Sequence, residues 1–155
     1  MPYLIDGHNL IPKLGLRLDS FDDEDELVTR LKEFCRLRRT LVEVYFDGAP
    51  PGHPASRKAG AVKAHFIHQG SSADAAIETR LLKMGKAARN WIVVSSDRRV
   101  QVAARAMHAQ VVSAEDFAGL MRQAQATRSS TARQDVNVSP EEVDEWLSLF
   151  RHRKG

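Results

Sequence analysis

Three apolar runs in this chain each deliver the backbone to an aspartate. Tyr3-Leu4-Ile5 ends at Asp6, Leu41-Val42-Glu43-Val44-Tyr45-Phe46 ends at Asp47, and Trp91-Ile92-Val93-Val94-Ser95-Ser96 ends at Asp97. Short runs rich in β-branched and aromatic residues suit strands buried on both faces. Helical spacing fills the gaps between them. Leu27, Leu31, Phe34 and Cys35 share one helical face, and Ala75, Ile77, Leu81, Leu82 and Met84 supply the core side of another helix. Strands alternating with helices predict an α/β fold, a parallel sheet covered on both faces. In such an open sheet, carboxylates at several strand exits converge on one crevice.

The remaining segments fit that frame. Leu10 to Leu18 holds a short helix broken at Gly15, and Ser20 with Asp23 has capping-box spacing for the helix that follows. Asp47 to Gly60, with Pro50, Pro51 and Pro54, reads as a loop. Val62 to His68 is a more polar strand nearer an edge. Ser72 is placed to cap the helix carrying Asp74 and Glu78, which are four apart and therefore share a face. A helix over Val100 to His108, a short strand over Gln110 to Val112 and a helix starting at Ser113-Ala114-Glu115-Asp116 follow. The domain spans 1–126. A polar linker is expected at 127–138, an amphipathic helix with Val143, Trp146, Leu147 and Phe150 at 139–150, and a basic tail at 151–155.

Charge is segregated along the chain. Between Gly48 and Ala114 stand ten basic residues and only three acids, Asp74, Glu78 and Asp97. The six acids from Asp19 to Glu26 suit the positive end of a helix, so that run reads as structural. The basic middle reads as a binding surface for a polyanion. An acidic pocket in a basic surround is what a divalent metal and a polyanionic substrate require together. The single cysteine, Cys35, excludes an intramolecular disulfide and a cysteine-rich zinc site. No apolar run reaches the roughly 20 residues of a membrane span, and no basic-then-apolar leader opens the chain. No membrane partner is expected, and a cytoplasmic location is the default expectation.

Four motifs, in order, carry a resemblance: Leu4-Ile5-Asp6-Gly7-His8-Asn9, Tyr45-Phe46-Asp47-Gly48, Ser72-Ala73-Asp74-Ala75-Ala76-Ile77-Glu78 and Val94-Ser95-Ser96-Asp97. Together they resemble the NYN branch of the PIN-like nucleases, and within it the YacP-like proteins, over roughly Met1 to Met121. The resemblance implies a three-layer α/β/α single domain and metal-dependent endoribonuclease activity with Mg²⁺ or Mn²⁺. It implies RNA as partner and makes the ribosome a candidate partner. Asp6 matches the first-strand metal ligand, Asn9 the amide that supports it, Asp74 the acid opening the central helix and Asp97 the acid after the later strand. Glu78 and Asp47 are further candidate ligands. His8 stands where the family usually has an aromatic residue, and stacking on a base is one role open to it. Arg57, Lys58, Arg98 and Arg99 are placed to hold flanking phosphates.

Bland readings stand beside these. Asp74 near a helix start also serves as a dipole partner, and Asp97 as a helix cap. The competing function is an RNA- or ribosome-binding module of the same fold without turnover. A phosphatase using Asp6 as nucleophile needs a second acid two residues on, where this chain has His8. No glycine-rich phosphate loop is present.

Overall fold

Leu4 and Ile5 are fully buried, and the strand they form occupies the middle of the sheet. This computed structural model describes residues 1–16 and 21–136. Strand β1 (Tyr3–Asp6) pairs in parallel with β2 (Val42–Ala49) on one side and, on the other, with β5 (Ile92–Val94). β2 then pairs in parallel with β4 (Val62–His68), which carries the antiparallel edge strand β3 (Ser56–Ala59). β6 (Gln110–Val112) pairs in parallel with β5 at the far side. The order β3-β4-β2-β1-β5-β6 reverses direction between β1 and β5. That reversal opens a crevice at the carboxyl ends of these two strands, where ligands of doubly wound sheets bind.

Alternating side chains of β1 reach the two covering layers. Leu4 packs with Tyr45 and Val93 against Ile77 and Leu81 of α3 (Ala73–Met84) and Val100 and Ala104 of α4 (Arg98–Ala106). Tyr3 turns the other way. It meets Phe34 of α2 (Phe21–Arg38) at 5.6 Å and Phe117 of α5 (Ala114–Val136) at 5.0 Å, and those two rings stand 5.0 Å apart. Such edge-on and tilted pairs stabilise beyond the area they bury, by about 0.5–1.5 kcal/mol each. The result is the three-layer α/β/α arrangement expected from the sequence, in a compact unit over Met1–Met121.

Several local expectations change. The loop expected from Asp47 to Gly60 contains β3, and β2 runs on through an irregularity to Ala49. Leu82, expected on the core side of α3, is 69% exposed. The short helix expected over Leu10 to Leu18 is instead α1 (Gly7–Leu10) followed by a 3-10 turn over Ile11–Leu14, ended by Gly15 in the left-handed region at φ 79°. A second unit begins at Arg122, and α5 stays helical to Val136 across most of the segment expected as a linker. That segment is polar but holds no glycine or proline before Pro140, so nothing in it breaks a helix. The expected helix over 139–150, the tail over 151–155 and the cap at Ser20 lie outside the described residues.

Candidate active site

β1 ends at Asp6, which is 6% exposed, and the chain turns at once into α1. The turn depends on Gly7. A Cβ there would overlap Cε1 of Phe46, lie 2.6 Å from its Cδ1 and 3.0 Å from the Tyr45 carbonyl oxygen. Glycine lets the ring of β2 press against the backbone that aims Asp6. The backbone N–H of Asn9 hydrogen-bonds to the Asp6 carboxylate, and the Asn9 Oδ1 accepts from Ser96 N–H at 2.7 Å. Asn9 thus ties the exit of β1 to the exit of β5.

The Ser95-Ser96-Asp97 turn is fixed from several sides. Ser95, fully buried, accepts from Asp97 N–H at 3.0 Å through its hydroxyl and from Gln101 Nε2 at 2.8 Å through its carbonyl. The Ser96 hydroxyl accepts from Ala114 N–H at 2.9 Å and donates to Glu115, which also meets Lys13 at 3.0 Å. Asp97 caps α4, accepting from Arg99 N–H at 2.8 Å. The capping role and a role in a site use different lone pairs of one carboxylate.

Asp47 and Asp74 complete the row. Ser72 caps α3 by accepting from Ala75 N–H at 3.1 Å, while Asp47 Oδ1 accepts from Ala73 N–H. Both therefore satisfy donors that a helix start leaves open. Asp74 stands in the first turn of α3.

Electrostatics join these acids. Burial, then the charges of Asp74 and Asp47, push the Asp6 carboxyl from 3.8 up to about 7, against the smaller pull of the Asn9 N–H and of His8. Asp74 is also raised, by burial, by the charge of Asp97, by a hydrogen bond between those two side chains and by Asp47; the Arg99 charge opposes this. Four carboxyl groups from four different segments thus crowd one another, as like charges brought out of water do.

Residues flanking the row are partly committed elsewhere. Glu78 holds Arg99 through two contacts of 2.6 and 3.3 Å. Arg57 meets Asp25 at 3.1 Å on α2. Lys58 and Arg98 are exposed. His8 donates to Glu24 at 2.6 Å. Burial lowers its proton affinity, but the bond and charge of Glu24 with the charges of Asp47 and Asp6 outweigh that and raise it. Glu24, 8% exposed, belongs to the run read from the sequence as merely structural. The signal lay in its phase: it sits three residues before Leu27 and seven before Leu31, on the buried face of α2.

Asp6, Asp47, Asp74 and Asp97 are the oxygen donors the row offers a cation. Among the described residues, no three His, Cys, Asp or Glu side chains stand close enough together to hold a metal ion between them. No helix among them is long and apolar enough to cross a membrane.

The family model of the YacP-like NYN domain matches this chain over residues 3–150. A crystal structure of Rae1 (YacP) from Bacillus subtilis is similar to it at 23% identity and a TM-score of 0.71, covering 100% of this chain and 95% of that one. A tryptophan-to-leucine mutant of the same protein gives 23% and 0.71 over 90% and 86% of the two chains. No curated protein matches the chain. The NYN family is associated with nuclease activity. Family model and sheet architecture agree: the chain belongs to the YacP-like NYN family and has the fold of the PIN-like nucleases.

Proposed function

We propose that this protein is a metal-dependent endoribonuclease whose site is the row Asp6, Asp74 and Asp97, with Asp47 beside it and Asn9 as its brace. One observation carries the reading: β1, β2, α3 and the β5 exit deliver four carboxyls to the reversal of the sheet, where the charges of Asp74 and Asp47 act on Asp6 and those of Asp97 and Asp47 act on Asp74. Two carboxylates about 4 Å apart repel by roughly 4 kcal/mol at an effective dielectric near 20. Such crowding favours a cation. The donors are all hard oxygens, which suits Mg²⁺ or Mn²⁺, and Mg²⁺ needs only one or two carboxylates besides waters and phosphate oxygens. The donor chemistry of the row suits these ions, with one or two of its carboxylates binding at a time and waters and phosphate oxygens completing the shell.

In this reading Asp6, Asp74 and Asp97 supply the carboxylates that hold the ion. When bound, it supplies charge neutralisation at the phosphoryl group and a more acidic water. The chain's own part is orientation. Asn9 fixes the β5 exit relative to β1, and Asp47 and Ser72 fix the start of α3, so the carboxylates are aimed before substrate arrives. Exposed Arg98 and Lys58 hold flanking phosphates. Arg99 adds positive charge beside Asp74 while anchored to Glu78.

The rival reading, an RNA-binding module without turnover, draws on the absence, among the described residues, of three such side chains close enough together to hold a metal ion. Incubation with labelled RNA in Mn²⁺, Mg²⁺ or EDTA, with and without ribosomes, separates the two. Cleavage that needs metal and disappears in Asp74→Asn is the expected result. Binding with no cleavage in any condition would establish the module instead.

A further inference from the structure

A cavity of about 370 Å³, lined among others by Glu24, Asp25, His53, Pro54, Arg57 and Phe66, is joined to the turn after Asp6 through the Glu24–His8 bond. We propose that this cavity is a base-recognition subsite that takes one unstacked nucleobase of single-stranded RNA, an inference that rests on the RNA reading above.

Its walls are flat and apolar. The His53 ring lies 4.4 Å from the Phe66 ring, and Phe66 stacks on Phe46 at 5.5 Å. Phe46 in turn lies 5.6 Å from His8, two residues beyond Asp6. A row of rings thus runs from the cavity to the turn that aims the first aspartate. Glu24 makes the same link with polar atoms, lining the cavity and accepting from His8.

The polar rim selects a base rather than a phosphate. Phosphate only accepts hydrogen bonds, and Glu24 and Asp25 repel it. Arg57 is paired with Asp25 at 3.1 Å, so its charge is offset while the pair presents N–H donors next to carboxylate acceptors. Donors beside acceptors match the edge of a nucleobase. Single-stranded RNA is read in this way, with bases splayed onto aromatic or guanidinium planes and bonded along their edges. The volume lies at the small end of ligand sites, as one base requires. Arg57 therefore moves from a phosphate contact to a reader of a base edge.

The test is an abasic scan: single-stranded RNAs, each lacking one base, are titrated onto the full chain in EDTA, beside cleavage of the same RNAs in Mn²⁺. Loss of one base should weaken binding about 10- to 100-fold at a single position and little elsewhere, the scale of base–aromatic stacking. His53→Ala and Arg57→Ala should each shrink that position's loss to under about threefold, while His53→Phe keeps it. Parental melting temperatures would show that the variants fold. A flat scan, or a position dependence that survives in both alanine variants, overturns the subsite. Metal-dependent cleavage with a flat scan retires the subsite and keeps the nuclease. A position dependence without cleavage keeps the subsite and retires the nuclease. Absence of any RNA binding ends both.

Discussion

Glu24 and His8 meet across 2.6 Å, joining the buried face of α2 to the turn that follows Asp6. The pair raises the proton affinity of His8 above its ordinary 6.5 although burial pulls the other way. Its stabilisation is therefore full below pH 6.5 and fades as pH rises through the folded value. Glu24→Ala should cost about 1.5–3 kcal/mol at pH 6 and clearly less at pH 9. Urea unfolding at the two pH values measures this. Equal losses at both would mean that the bond contributes packing rather than charge.

Asp6 predicts a slope of the same sign in a lower pH window. Its carboxyl titrates near pH 7 in the fold and near 3.8 when unfolded, so the folded state binds the extra proton between these values. Stability without metal should fall as pH climbs from about 4 to 7, by up to roughly 4 kcal/mol. Asp6→Asn should remove that decline and exceed the parent in stability at pH 8, the two converging below about pH 4. Mn²⁺ should raise the parental melting temperature and leave Asp6→Asn nearly unmoved. A variant less stable than the parent at pH 8 would make Asp6 a structural residue.

Glu43 gives a third, independent titration. Burial raises its proton affinity, but His65 and Arg80 outweigh that and hold it down to about 2, with Arg80 donating through Nε and Nη2 at 3.0 and 2.9 Å. This stabilisation is present above pH 4.5 and is lost as pH falls towards 2. Discounting for the partial exposure of Arg80 leaves about 2 kcal/mol. Glu43→Gln should lose that amount at pH 7 and flatten the acid limb of the unfolding profile between pH 4.5 and 2.

Gly7 carries a packing prediction. In Gly7→Ala the new methyl meets the fully buried Phe46 ring. Overpacking of this kind costs about 1–3 kcal/mol, and a turn displaced to relieve it would misaim Asp6. Adding Phe46→Leu should restore part of both stability and RNA cleavage. If the single variant melts like the parent, the close approach is not what selects glycine.

The placement of the candidate acids at strand exits is legible in the sequence because it follows from local chemistry. An apolar run ending in aspartate places that residue at a strand exit, and a parallel sheet gathers such exits on one side; Asp6, Asp47 and Asp97 came from that alone. What stayed hidden was set by partners far along the chain. Nothing local tells that Arg99 turns to Glu78, or that Arg57 crosses to Asp25. Glu24 was obscured by its acidic neighbours, although its spacing to Leu27 and Leu31 was in plain view. β3 was missed because Ser56-Arg57-Lys58-Ala59 is polar and nearly all exposed, so hydrophobic alternation cannot mark it. The helical course of 127–136 runs against the polarity of the segment and follows from its lack of helix breakers.

The antiparallel strand β3 has a consequence for how this protein behaves at high concentration. It places Arg57 and Lys58 on the outer margin of the sheet, beside Lys63 of β4. A second copy adding its own β3 there, strand against strand, would bring like charges into apposition before any backbone bond could close. Cations along an edge are a common guard against open-ended sheet extension. At the opposite margin β6 is only three residues long and offers little ladder to extend. The cations of this margin, Lys58 and Lys63 above all, therefore keep neighbouring copies from joining sheets, and neutralising them should make the protein prone to aggregate.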